Sequence, residues 1–245
     1  MNKKYYFSCH ELCLVLMVFL MLSAVMIPVL GNAQAGAKKA SCLDNLRTCI
    51  KATIAYADEN QGVAILKYGD SSSGKLLLTM AFGKAVTHSG KIARRLTVED
   101  VICPDTTVLP ARVTWHFSEF YAVPYGVYNK DHSLTPYEIP EGFYAIRKWP
   151  NADVAVNFKK IRYADSAVIY AEAWNAKKGV AISHYGLTEK ESGKLDFRHN
   201  EQNNMAFADG HVEGKPLSFI TEQREASGIS RRWYVYNGKR ESVAL

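Results

Sequence analysis

"LCLVLMVFLMLSAVMIPVL", residues 12–30, is a run of nineteen residues with no charged side chain. As a helix it would reach about 28 Å, close to the hydrocarbon thickness of a bilayer. Lys3 and Lys4 precede it, which predicts a cytoplasmic N-terminus and an exported remainder. Pro28 lies in its second half, where it would remove one backbone hydrogen bond and bend the helix. Two fates compete. A secretory signal peptide would end at the small-residue pattern Ala33-x-Ala35, although its apolar core is usually only about 7–15 residues. A retained helix would instead keep Glu11, a carboxylate at the edge of the run that a signal peptide does not need and that is costly to place in lipid.

Downstream, Leu43, Leu46, Ile50, Ile54 and Ala57 recur at three- and four-residue steps, while Lys39, Asp44, Arg47, Lys51 and Asp58 fall elsewhere on the wheel. Gly62 suits the left-handed position that closes a helix. Residues 7–60 therefore predict one long helix, with a transmembrane half at 7–31 and an amphipathic half at 32–61, behind a cytoplasmic leader-like segment at 1–6. From 62 to 245 the pattern changes to short runs rich in β-branched and aromatic residues: "LLLTMAF", "RVTWHFSEFYAVPYGVYN", "GFYAIRKW", "SAVIYAEAW" and "NNMAFADGHVE". "TVEDVICP" suits a short helix or a strand. No strand–helix alternation appears, so the expected class is α+β: a long N-terminal helix packed on an antiparallel sheet.

Charged residues make up 22% and hydrophobic ones 48%, the balance of a globular chain. The net charge of +6 is scattered over pairs such as Arg94-Arg95 and Arg231-Arg232 and forms no basic stripe, which argues against nucleic acid. Six aromatics between Trp115 and Tyr128 suit either sheet packing or a sugar platform. No G-x-S-x-G, H-E-x-x-H or phosphate-cradling loop is present, and "YGDSSSG" at 68–74 reads as a solvated turn, so neither catalysis nor a cofactor is expected. The five cysteines have no zinc-finger spacing. In an oxidising compartment Cys42 and Cys103 could pair as a disulfide, with Cys49 as an equally placed donor and buried free thiols as the alternative.

Near the C-terminus, "DFRHNEQNNMAFADGHVEG" (196–214) contains Asp209-Gly210, suited to a two-residue type I′ hairpin turn. That turn sets Phe207 opposite Val212, with Met205, Phe207 and Val212 on the core face and Ala206, Ala208 and His211 on the other. His199 is expected to fix the hairpin by hydrogen bonding. A metal site from His199, Asp209 and His211 is the weaker alternative; oxygen ligation of calcium through Asp209, Glu201 or carbonyls is another.

Two groups of residues carry a family resemblance. Phe7, Glu11 and Pro28 resemble the N-terminal signal of type IV pilins and type II secretion pseudopilins, in which a prepilin peptidase cuts before a Phe that is then methylated. The family has Gly before the cut; this chain has Tyr6. His199, nine residues, then Asp209-Gly210 resembles the H-x9-DG signature of prepilin-like proteins. "SCLDNLRTCIKATIAYADENQG", "CP" at 103–104, "YGVYN" and "YADSAVIYAEAW" look similar in the same order. The resemblance implies a pilin-like fold anchored once in a bacterial inner membrane, with the C-terminal domain periplasmic or extracellular. It implies contact with the lipid bilayer, like subunits or other pseudopilins, prepilin peptidase and secretion components, and a role in self-association. In that family Glu11 would neutralise the N-terminal amino group of a neighbouring subunit. The competing expectation is a secreted binding module, with polysaccharide as its candidate ligand, released after Ala35.

Overall fold

The computed structural model describes residues 8–67, 76–81, 90, 96–104, 121–124, 127–128, 134–135, 144–147, 153–161, 163–177, 180–181, 184–185, 193–226, 234–237, 239 and 241–244. The leader at 1–6, Phe7, the turn at 68–74 and most of the aromatic cluster after Trp115 lie outside them.

Helix α1 (Cys9–Glu59) is a single helix of 51 residues that continues through Pro28. Its start is a capping box. The Ser8 backbone N–H and hydroxyl donate to Glu11 Oε2 at 2.8 and 3.0 Å, and Glu11 N–H donates back to Ser8 Oγ at 3.3 Å. These bonds hold the Glu11 carboxyl below its usual value, so it stays ionised. From Cys42 onward one face is buried, through Leu46, Cys49, Ile50, Thr53 and Ala57, while Arg47, Lys51 and Asp58 remain exposed. The helix closes as predicted: Gly62 N–H donates to Ala57 O at 2.7 Å, and Gly62 adopts φ +88°. A Cβ at Gly62 would lie 2.7 Å from Lys159 Cγ, part of an exposed side chain free to swing aside, so it is the positive φ that disfavours a larger residue here.

The predicted single-pass placement is corrected. Among the described residues, no helix is long and apolar enough to cross a membrane. The uncharged run is the opening part of a helix that starts at a Ser8–Glu11 cap and runs on through Gly31, Asn32 and Gln34. The chain divides into compact units at 1–38 and 39–245.

Residues beyond α1 confirm an α+β class built on antiparallel pairings. Strand β1 (Val63–Lys67) pairs with β3 (Asp153–Asn157), which pairs in turn with β2 (Tyr144–Arg147). Between β1 and β2 lies α2 (Leu76–Ala81), a helix where the sequence suggested a strand. Leu, Met and Ala favour helix, and Thr79 is its sole β-branched residue, so composition outweighs the apolar look of the run. "TVEDVICP" supplies a short 3-10 turn, Glu99–Val101. Strand β4 (Val168–Ala171) continues after Glu172 into β5 (Ala173–Asn175), which pairs with β6 (Lys194–Leu195) and Val180–Ala181. Strand β7 (Gln202–Phe207) lies between β4 and β8 (Val212–Pro216). Helix α3 (Leu217–Ala226) and the hairpin of β9 (Tyr234–Tyr236) and β10 (Ser242–Ala244) follow, and earlier in the chain Val127–Tyr128 pairs antiparallel with Leu134–Thr135 and a 3-10 turn spans Phe158–Lys160. Among the described residues the parallel pairings are the two-residue ladder Val123–Pro124/His184–Tyr185 and the bridge Asp196–Tyr236.

The β7–β8 hairpin differs by one residue from its predicted register. Ala206 faces Val212, Met205 faces Glu213, and Phe207 N–H donates to His211 O at 3.0 Å. The loop has three residues, 208–210, with Gly210 at φ +91°, so Asp209-Gly210 is not the centre of a two-residue turn. The slip moves His211 to the Phe207 side, where the two rings stack at 4.2 Å. Strand β7 tolerates this because both its faces are buried. Ala206 and Ala208 join the core containing Leu46, Ile50 and Tyr170, whereas Met205 and Phe207 join a second core with Phe197, Ile220 and Val235.

A two-residue turn does occur eight residues earlier. His199 and Gln202 exchange backbone hydrogen bonds of 3.2 and 3.1 Å around Asn200 (φ 52°) and Glu201 (φ 60°). Two consecutive left-handed residues define a type I′ turn, which favours Asn-Gly. Glu201 bears the cost of a side chain in that region. Glu201→Gly is therefore expected to stabilise the protein by roughly 0.5–1 kcal/mol, the left-handed penalty less the added chain entropy of glycine. Urea unfolding would check it, and an equal or lower midpoint would contradict the assignment.

Candidate functional site

Four buried side chains from distant parts of the sequence converge in the 39–245 unit: Cys42, Cys103, Glu172 and His199. Cys42 lies on the inward face of α1. Cys103 follows the 3-10 turn, next to the buried Val101 and Ile102. Glu172 occupies the break between β4 and β5, and His199 opens the type I′ turn leading into β7. One donor atom from each residue falls within 4.8 Å of all the others.

Glu172 Oε1 is the hub. Cys42 Sγ donates to it at 2.7 Å, and His199 Nε2 lies 3.0 Å from it. His199 Nε2 is also 3.6 Å from Cys103 Sγ. The Glu172 backbone is held by Asn203: its N–H donates to Asn203 Oδ1 at 3.2 Å, and Asn203 Nδ2 donates to Glu172 O at 2.7 Å and Asp196 O at 2.9 Å. Tyr121 OH donates to the Cys42 carbonyl at 3.1 Å and lies 3.2 Å from its sulfur. The Arg198 side chain, buried beside the cluster, sets its Nε 2.9 Å from Asp196 Oδ2 and donates through Nη2 to Ala173 O at 3.3 Å.

Burial would raise the Glu172 carboxyl, but the His199 hydrogen bond and the charges of Arg198 and His199 outweigh it and bring its pKa down to about 2. Burial would lower His199. Hydrogen bonds to Cys103 and Glu172, with the negative charge of Glu172, instead lift it to about 10, so an imidazolium–carboxylate pair occupies the interior. Burial pushes the Cys42 thiol well up, reinforced by Cys103 and Glu172. Cys103 moves the other way, drawn down chiefly by its interaction with the neighbouring Cys42 and helped by His199 and Arg198. The site thus pairs one strongly protonated thiol with one of enhanced thiolate character.

The structure sorts the sequence-derived candidates. Cys42 and Cys103 meet, as their pairing required, but both are thiols and no disulfide joins them. Cys49, the alternative donor, instead points to Asp100 O at 3.2 Å. The predicted set of His199, Asp209 and His211 is split by the fold. Asp209 Oδ1 accepts from the His211 backbone at 3.0 Å and lies 2.6 Å from His211 Nδ1 on the half-exposed hairpin loop, while His199 turns inward to Cys103 and Glu172. The three-residue loop explains the split, because it fixes Asp209 and His211 to each other. His199 does anchor a turn, but the one at 199–202.

Glu172 was not legible as a site residue. Its signal was present all the same, since "SAVIYAEAW" places a lone carboxylate within a run of otherwise small or apolar residues, where an acid needs a buried partner. Comparison with protein-family models, curated proteins and solved structures finds no match to this chain.

Proposed function

We propose that this chain is a pseudopilin-like structural protein that acts by self-association rather than catalysis, in type II secretion or a pilus-like assembly. The observation that carries the proposal is the apolar opening of α1. Leu12, Leu14, Val15, Leu16, Met17 and Val18 are about half exposed, and Phe19, Leu20 and Met21 are exposed by 70%, 70% and 71%. A helix apolar around its whole circumference requires cover on every side. Like helices from neighbouring copies supply that cover, and residues 12–37 contain no charge to oppose their packing. The order of the elements supports the same view, with a long helix leading into antiparallel sheets, as do Phe7, Glu11 and Pro28 at the positions of the pilin signal.

Glu11 then has two roles. It caps its own helix through Ser8, and its ionised carboxylate at the edge of the apolar run would meet the N-terminal amino group of the adjoining subunit. Glu11→Gln separates the two, because glutamine can keep the capping bond but has no charge. Glu11→Gln is expected to abolish assembly in light scattering while helix content by circular dichroism stays unchanged. Full assembly of the variant would overturn the charge-pairing role.

A further inference from the structure

We infer that Cys42, Cys103, Glu172 and His199 form a closed four-ligand site for a divalent cation of the zinc class, whose role is to fasten α1 to the strands behind it. Two sulfurs, one imidazole nitrogen and one carboxylate oxygen converge within 4.8 Å, all from buried residues. Calcium and magnesium take oxygen donors, whereas thiolate with imidazole selects zinc and similar borderline-soft ions. Four protein donors leave no tetrahedral position for water or substrate, which marks a structural site and not a catalytic one.

The distances suit the ion. Donors bound to tetrahedral zinc at about 2.0–2.3 Å stand roughly 3.3–3.8 Å from one another. Cys103 Sγ and His199 Nε2 already lie 3.6 Å apart. The contacts of Glu172 with Cys42 (2.7 Å) and His199 (3.0 Å) are those of hydrogen bonds. The first would open by about 0.8 Å and the second by about 0.3 Å as the ion takes the place of the bridging protons. Two thiol protons and the imidazolium proton leave and a doubly charged ion enters, so the net charge falls by one. Arg198, buried alongside, faces that change. A surrounding shell is also in place: Asn203 clamps the Glu172 backbone, and Tyr121 holds the Cys42 carbonyl. None of these residues lies in the exposed apolar part of α1, so the site stands whether or not the chain assembles.

The test is the metal content of the purified full chain, kept reduced, supplied with zinc and then dialysed. About one zinc per chain is expected, and cobalt in its place should show an intense near-ultraviolet thiolate charge-transfer band with tetrahedral visible bands. Cys103→Ser should lose at least half of the charge-transfer intensity, whereas His211→Ala, on the hairpin loop, should leave metal content unchanged. If Cys103→Ser fails to fold, the stoichiometry and cobalt spectrum of the unaltered chain still decide. A folded, reduced chain without bound zinc and without the cobalt band would overturn the site. So would loss of metal in His211→Ala, or a Cys42–Cys103 disulfide found by peptide mapping of the isolated protein.

Discussion

Glu172→Ala is expected to destabilise the 39–245 unit by about 3–5 kcal/mol, the usual cost of removing one partner from a buried ion pair. The loss is larger than that of a single hydrogen bond because Glu172 serves several groups at once. Its Oε1 receives the Cys42 thiol and pairs with His199, and it offsets the positive charge of Arg198. Without the carboxylate, His199 must give up its proton or remain as an uncompensated buried cation, and Cys42 loses its acceptor. Glu172→Gln keeps the volume but not the charge, so it should restore part of the packing and little of the pairing. Equilibrium unfolding in urea would give the difference. A change under about 1 kcal/mol for Glu172→Ala would show that the cluster contributes no more than an ordinary surface pair.

The second large effect concerns association. Leu16 and Phe19 are one helical turn apart in the exposed apolar stretch, at 55% and 70% exposure. Replacing both with lysine leaves helix propensity almost unaltered, since lysine is a good helix former. It also places two like charges wherever copies of α1 pack together, in a setting that excludes water and gives those charges no partner. The doubly substituted chain is expected to sediment as a single copy, against a large assembly for the unaltered chain. The helical circular dichroism signal should be the same for both.

Much of this architecture was legible in the sequence because helical periodicity is local. The steps from Leu43 to Ala57 located the amphipathic half of α1, and Gly62 marked its end, since both signals depend only on nearby backbone geometry. What escaped was decided by tertiary context. The register of the β7–β8 hairpin turned on whether Asp209-Gly210 was the whole loop or its last two residues, a choice that Ala206 and Phe207 could not settle because both faces of β7 are buried. Residues 12–30 suggested a bilayer span by composition, yet among the described residues no helix is long and apolar enough to cross a membrane. The Ser8–Glu11 capping box was readable as S-x-x-E but was overshadowed by the charge of Glu11. The cluster was half visible. Cys42 and Cys103 stood out as thiols and His199 as a motif residue, but separations of 61 and 96 positions along the chain concealed their meeting. Glu172 showed only as an acid out of place.

Self-association is the central claim, and its most direct measurement is the size and shape of the purified full-length chain, by light scattering and negative-stain electron microscopy. Elongated assemblies of many copies, lost in the Leu16→Lys/Phe19→Lys chain, are the predicted result. A well-folded single copy at every concentration, with the apolar stretch of α1 left uncovered, would contradict it.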